Sequence, residues 1–593
     1  MAKRWVLKEV VRPELAADLA AQLNIDVPLA QLLFQRGVKT FDEAKAFFRP
    51  ELSKLHDPFL LNDMDAAVER IERAFHEKEK ILVYGDYDVD GTSAVSLVYT
   101  FLREQGFENL DFYIPDRYGE GYGISTKSID FAAENNFSLI IALDCGIKAV
   151  EKVEYASSKG IDFIICDHHR PGDVLPPAVA VLDAKRPDSV YPFDELSGCG
   201  VGFKLIQGYC QKNNIPFNTL NKYLDLVAVS IAADIVPIIG ENRILAYYGL
   251  KLINSHPRPG LEAILNVGNI QRKGKAIPVT DEDKLFTDDI IFSRELTIND
   301  LVFVVGPRIN AAGRIESGKN SVALLTSTTL EQAETIAQQI NDFNIERRNL
   351  DTQITQEALS MIEGDKRLLN SRSTVIFDPN WHKGVIGIVA SRLTEMYYRP
   401  TIVLTESNGL ITGSARSVKD FDIYDAIDAC SDLLEHFGGH TYAAGLSIKP
   451  ENFQKFRQRF ESIVASSIKD HMLIPEVEID LKINLNQITP KFMRILKQFA
   501  PFGPGNMSPV FMTTGTHDTG YAKIVGKNHL KLTVFQESVR SNPFSSIAFQ
   551  LGERFPGIQK GLLMDICYHV EENEWNGLKN IQLNIKDIRF SEE

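Results

Sequence analysis

Four short segments place a carboxylate, or a carboxylate beside histidines, directly after an apolar run: Tyr84-Gly-Asp-Tyr-Asp-Val-Asp-Gly91, Leu143-Asp-Cys-Gly146, Cys166-Asp-His-His169 and Ala232-Ala-Asp-Ile-Val-Pro237. Taken singly, each has an ordinary reading. Asp86, Asp88 and Asp90 could form a solvated acidic turn or a calcium loop, although the EF-hand version lacks its bidentate glutamate and its leading helix. Asp144 could equally cap a helix beginning near Ile147. A His-His pair is often surface or core filler. Four such ends within about 150 residues point instead to one shared multi-metal site. Carboxylate and imidazole donors suit hard or borderline divalent ions, and a pair of such ions suits phosphoester hydrolysis. Alternate side chains of an extended stretch face one way, so Asp86, Asp88 and Asp90 could converge on a cation. Adjacent histidines point apart, which leaves one for metal and one for phosphate, with Asp167 orienting a ring.

The elements between these segments can bring them together. Ile81–Tyr84, Leu110–Ile114, Ser138–Leu143, Ile161–Cys166 and Ala178–Leu182 read as buried strands, alternating with helical patterns at Thr92–Gln105, Ser125–Asn135 and Ile147–Lys159. That alternation predicts a parallel, doubly wound sheet, whose ligands gather beyond the carboxyl ends of its strands. Helices over 200–213 and 220–233 follow, with Pro237 closing the second and leaving Asp234 near its end. The polar stretch Gly268–Asp289 reads as a loop or insertion. Residues 329–363 form an uninterrupted helical pattern bridging to a second α/β unit at about 370–470, and residues 1 to about 50 read as short helices. Beyond Glu476, alternating runs such as Leu530-Lys-Leu-Thr-Val-Phe535 and Ile581-Gln-Leu-Asn-Ile585 predict a small β-barrel of OB type.

Two later segments suit an anionic substrate. Gly306-Pro-Arg-Ile-Asn-Ala-Ala-Gly-Arg314 sets Arg308 and Arg314 around small residues, and Thr412-Gly-Ser-Ala-Arg-Ser417 with Phe437-Gly-Gly-His440 repeats the kit in the second unit. The net charge of −15 argues against a nucleic-acid partner only weakly, because metal-binding carboxylates inflate it and only the groove must be basic. No run of about 18 uncharged apolar residues predicts a membrane span. Six cysteines without a CxxC pair, and a start without a signal-peptide core, lead to the expectation of a reduced, cytoplasmic protein.

These segments, with Gly384-Val-Ile-Gly-Ile-Val-Ala-Ser-Arg392, Gly438-Gly-His440 and Phe499-Ala-Pro-Phe-Gly-Pro-Gly-Asn506, resemble the DHH phosphoesterase superfamily, and within it the single-strand-specific exonucleases of bacteria. The resemblance implies a two-ion centre, manganese or magnesium, with Asp88, Asp90, Asp144, His168 and Asp234 as ligands, Asp86 in support, and Asp144 bridging. It gives His169, Asp144 and Asp167 catalytic roles. Arg308, Asn310, Arg314, Ser414, Arg416, Gly438, Gly439 and His440 would hold the strand, and the barrel would grip it by stacking and through Lys523, Lys527 and Lys531. Many superfamily members carry histidine where this chain has Tyr84, leaving Asp86 or water to complete that ion. The implied organisation is a helical segment (1–50), an α/β catalytic domain with a parallel sheet (51–325), a connecting helix (326–365), a smaller α/β DHH-associated domain (366–470) and an OB-like barrel (471–593). The implied activity is 5′→3′ hydrolysis of single-stranded DNA to 5′-mononucleotides in repair and recombination. A monomer working with a helicase and a single-strand-binding protein, and no membrane, is expected. The alternative within the superfamily is a phosphodiesterase of short oligonucleotides or bisphosphorylated nucleosides.

Overall fold

The computed structural model describes residues 3–10, 12–273, 285–575 and 578–591; the middle of the polar stretch 268–289 lies outside them. The chain forms two compact units. The first comprises Val10–Asn344 and Thr489–Ser508, and the second the residues up to Glu9, Ile345–Ile488 and those from Pro509 onward.

The first unit is built on a five-stranded parallel sheet, ordered Leu110–Tyr113, Ile81–Gly85, Leu139–Leu143, Asp162–Cys166, Ala180–Leu182. Ile81–Gly85 and Leu139–Leu143 are buried along their whole length, as strands covered on both faces must be. Helices Val89–Glu104, Gly198–Lys212 and Leu224–Ala233 pack together over the sheet around one large apolar core. The first two begin at side-chain caps, Asp88 accepting from the Gly91 amide and Ser197 from the Gly200 amide, which fixes where each helix starts. Register decides the rest. Gly85 pairs with Leu143, Leu143 with Cys166 and Cys166 with Leu182, so Asp86, Asp144, Asp167 and Asp183 all emerge from one row at the carboxyl edge.

The second unit holds a mixed sheet, ordered Leu434–His440, Ala443–Ile448, Leu410–Arg416, Thr401–Ser407, Thr374–Phe377, antiparallel except for the last pair. It also holds the expected barrel. Phe511–Asp518, Met564–Trp575, Leu578–Phe590, Phe544–Ala548 and His529–Phe535 follow one another, and the first pairs back with the last through His517 and Phe535. That closure removes the open edges. Helix Leu330–Gly364 runs from one unit into the other, close to the span the sequence predicts.

One expectation is corrected at the start of the chain. Residues 4–7 are not helical; Arg4–Leu7 is a strand paired parallel to Glu476–Ile479. The Trp5-Val6-Leu7 run has strand character, but its partner lies far along the chain. All six cysteines are free and buried. Among the described residues no helix is long and apolar enough to cross a membrane.

Candidate metal centre

The row of aspartates is completed by side chains from two helices and a turn. His168 Nε2 lies 3.2 Å from Asp144 Oδ1, 3.5 Å from Asp234 Oδ2 and 3.8 Å from Asp90 Oδ2. Asp144–His168–His169 and Asp90–His168–Asp234 each present three donor atoms within 4.8 Å of one another. Asp90 is fixed rigidly: its oxygens accept from the Gly198 and Cys199 amides and from Ser230 Oγ, each at 2.7 Å, so the amino end of helix Gly198–Lys212 faces its charge. Two glycines permit the crowding. A Cβ on Gly198 would lie 2.6 Å from Asp144 Oδ1, and one on Gly91 2.6 Å from the Asp86 amide nitrogen.

Electrostatics divide the residues into those whose charge protein groups do not fully offset and those already satisfied. Burial, then the neighbouring carboxylates, pushes Asp86, Asp88 and Asp144 above the usual carboxylate range. Asp234 is pushed up to about 8 by the same causes. Both oxygens of Asp86, Asp144 Oδ1 and both ring nitrogens of His168 are buried without a hydrogen-bond partner, a costly arrangement unless something else coordinates them. Burial holds the His168 ring below the usual imidazole range, which keeps it neutral and free to ligate. This donor set fits divalent cations.

Asp167 is the opposite case. Although fully buried, it sits below the usual carboxylate range because His169 donates to it, along with main-chain groups. It accepts from the amides of Ile147 (2.9 Å), His168 (2.8 Å) and His169 (3.2 Å) and pairs with His169 Nδ1 at 2.7 Å. Burial works against protonation of His169, but the Asp167 hydrogen bond and charge push it up to about 9. The adjacent histidines therefore differ in charge, one neutral and one cationic. His169 Nε2 lies 3.1 Å from the hydroxyl of Tyr122.

Tyr84 is buried and donates to the Gly123 carbonyl at 2.6 Å, stacking on Tyr113. Its hydroxyl is committed to the 116–125 loop. Helix Gly306–Ile315 carries Arg308, Asn310 and Arg314. Its small residues serve a close approach to the acidic turn: a Cβ on Gly313 would lie 2.8 Å from the Tyr87 carbonyl. Arg308 donates to Asn341 Oδ1 and the Val304 carbonyl, the Arg314 carbonyl accepts from Tyr118, and Asn310 is half-buried.

In the second unit, register aligns Ser414 with Gly445 and Gly438, Ala415 with Ala444 and Gly439, and Arg416 with Ala443 and His440. Arg416 donates to Ser414 Oγ (2.9 Å) and the Ala415 carbonyl (2.7 Å), both neutral, and burial pushes its guanidinium below its ordinary range. Lys523 lies directly opposite Lys531 across two barrel strands, and Lys527 is exposed in the turn between them.

Sequence reasoning missed Asp183 and Tyr122. Asp183 is fully buried, has one oxygen without a partner, and is pushed up to about 7, first by burial. Its signal was present, since it too follows an apolar run. Tyr122 carried no signal, because its place depends on how a loop folds back over the site.

A parallel sheet whose carboxyl edge gathers aspartates and an Asp-His-His triplet defines a DHH-type phosphoesterase, and family models match accordingly: "DHH family, N-terminal domain" over residues 80–231, "DHHA1 domain" over 370–466 and "RecJ OB domain" over 479–587. The chain is 36% identical to the single-stranded-DNA-specific exonuclease RecJ of Bacillus subtilis, over 99% of this chain and 71% of that one. With the Escherichia coli protein of the same name it shares 32% identity, over 96% of this chain and 97% of the other. The crystal structure of RecJ from Thermus thermophilus in complex with Mn2+ superposes with a TM-score of 0.81 at 25% identity, covering 99% of this chain and 79% of that one. The chain belongs to the RecJ family.

Proposed function

We infer that this chain is a metal-dependent exonuclease specific for single-stranded DNA, working 5′→3′ and releasing 5′-mononucleotides. The observation that carries the reading is a cluster of carboxylates at one sheet edge, with buried oxygens of Asp86 and Asp144 lacking hydrogen-bond partners, beside a neutral and a cationic histidine. Asp88, Asp90, Asp144, His168 and Asp234, with Asp86 in support, would hold two Mn2+ or Mg2+ ions, Asp144 standing between them. Such ions lower the pKa of water and stabilise charge developing on a phosphoryl group. The protein's own residues supply the rest. Asp90, clamped by a helix amino end, keeps the donor geometry from relaxing. His169, kept cationic by Asp167, contacts a scissile phosphate oxygen and offsets its charge.

Substrate grip follows from the second unit. Arg416, a mostly buried cation hydrogen-bonded to neutral partners, suits a 5′-phosphate, with Ser414 beside it and Gly438, Gly439 and His440 in the adjoining strand. The barrel's facing Lys523 and Lys531 repel each other until an anion lies between them. Exposed Tyr521 and Phe549 add rings on which bases stack. Arg308, Asn310 and Arg314 support the acidic turn and the strand beside it. The same reading carries a monomer acting in the cytoplasm, in repair and recombination, beside a helicase and a single-strand-binding protein.

The test is nucleotide release from 5′-labelled single strands and blunt duplexes in Mn2+. The expected result is labelled mononucleotide from the single strand, with the duplex slower by roughly 10²-fold. Equal rates on both, or hydrolysis confined to dinucleotides, would contradict the reading.

A further inference from the structure

The residues just after Asp234 are held by a segment from far along the chain. Thr489–Ser508 is flanked by strands Leu481–Lys482 and Phe511–Asp518, yet it packs within the first unit. It enters as helix Pro490–Lys497, capped by Thr489 and burying Phe492 and Leu496. Phe499 follows, fully buried in edge contact with Phe47 and Phe48. The chain then turns through Pro501-Phe-Gly-Pro-Gly-Asn506, closed by paired Gly503 and Asn506 backbone hydrogen bonds of 3.1 and 2.8 Å.

Two side chains lock this turn. Asn506, 2% exposed, donates to the carbonyls of Phe499 and Pro501 and accepts from Arg36 Nε. Arg243 lies over the Phe47 ring and donates to the carbonyls of Phe47, Phe499 and Ala500 at 2.9–3.1 Å. A buried guanidinium is expensive without partners, and most of these partners exist only when the turn is seated.

The turn's other side meets the loop that carries Asp234. The Pro504 carbonyl accepts from the Ile238 amide at 2.7 Å. A Cβ on Gly503 would lie 2.5 Å from Ile238 Cδ1, and one on Gly505 3.0 Å from Ile239 Cγ2. Opposite, Asn242 donates to the Pro237 carbonyl at 3.0 Å. Between Asp234 and this clamp stands Ile235 at φ 61°, a left-handed conformation that is unfavourable for a β-branched residue and persists only where the surroundings enforce it. Asp234 itself ends its helix and is partly exposed, so nothing on its own helix beyond that point restrains it.

We propose that the 501–506 turn is a positioning element of the metal centre, setting the Asp234 carboxylate by clamping Pro237–Ile239, with Arg243 and Asn506 as its keystones. The proposal rests on Asp234 being a metal ligand. It also means that the barrel region cannot be cut away cleanly, because its sequence contains a support of the catalytic unit.

The experiment is calorimetric titration of Mn2+ into the full chain and into Asn506→Asp, Gly503→Ala and Asp234→Asn. Asn506→Asp loses the two amide donations at nearly constant shape, and Gly503→Ala presses on Ile238. The expected result is that each weakens one of two Mn2+ equivalents by about tenfold or more, the size seen when a ligand's support is lost. In the two turn variants KM for the DNA strand should stay unchanged. Wild-type Mn2+ affinity in both turn variants, whatever their melting temperatures, alongside weakened binding in Asp234→Asn would overturn the inference alone. Unchanged binding in Asp234→Asn would overturn the metal assignment and the inference with it.

Discussion

Asp144→Asn is expected to abolish most nuclease activity and, at the same time, to stabilise the metal-free protein. Asp144 is 2% exposed, with one oxygen lacking a hydrogen-bond partner. Its carboxyl is driven well above the usual range by burial and by Asp90, Asp88, Asp234 and Asp167. Neutralising it removes a buried like-charge conflict, a gain of about 1–3 kcal/mol for a group so placed. If Asp144 serves both proposed ions, its removal would forfeit several kcal/mol of transition-state stabilisation, and about 4 kcal/mol corresponds to roughly 10³-fold in rate. Asparagine is the informative replacement because Asp144 sits at φ 59°, which asparagine tolerates; alanine would add backbone strain and blur the stability readout. Single-turnover nucleotide release and calorimetric melting in EDTA check both halves. A variant that is destabilised without metal, or that retains activity, contradicts the charge conflict described for this site.

The second large effect is the coupling of metal, pH and stability. Asp86, Asp88, Asp144 and Asp234 all bind protons more tightly in the folded protein than the ordinary value of 3.8 allows, Asp234 up to about 8, and Asp183 adds a group at about 7. A folded state that binds protons more tightly gains stability at low pH and loses it as pH rises. Their combined contribution is therefore fully present below about pH 4 and is lost as pH rises past their raised folded-state values, for Asp183 through about 7 and for Asp234 through about 8. Asp167 runs the other way, its contribution present at neutral pH and lost on acidification. Mn2+ should relieve the carboxylate conflict, raising stability by about 2.7 kcal/mol at a hundredfold excess over its Kd, with the largest gain near pH 8. Melting temperatures from pH 5 to 9, in EDTA and in Mn2+, provide the check. A metal-induced shift that does not grow with pH would count against the cluster, and removal of metal should stop nucleotide release altogether.

Much of this site is legible in local sequence because a parallel sheet turns a one-dimensional pattern into a spatial one. An apolar run followed by an acid places Asp86, Asp144 and Asp167 at one sheet edge, and equal register makes them a row. Asp183 obeys the same rule but lacks the histidine or glycine neighbours that drew attention to the others. Features that depend on distant pairing were not legible. The strand Arg4–Leu7 needs Glu476–Ile479 beside it. The turn 501–506 reads as a family marker in sequence, and its hydrogen bond to Ile238 and close packing on Ile238 and Ile239 connect it to the loop after Asp234. Tyr84 stands where superfamily members often carry histidine, yet its hydroxyl is spent on the Gly123 carbonyl, a bond set by a loop conformation that no local pattern encodes.

Whether this sheet edge holds two catalytic ions is decided by anomalous diffraction at the manganese edge, from crystals of the full chain grown with Mn2+. The expected result is two peaks at the carboxyl edge of the parallel sheet, with Asp144 touching both, His168 touching one, and Asp167 and Tyr84 touching neither. Peaks elsewhere, or a single ion without Asp144 among its ligands, would contradict the two-ion assignment.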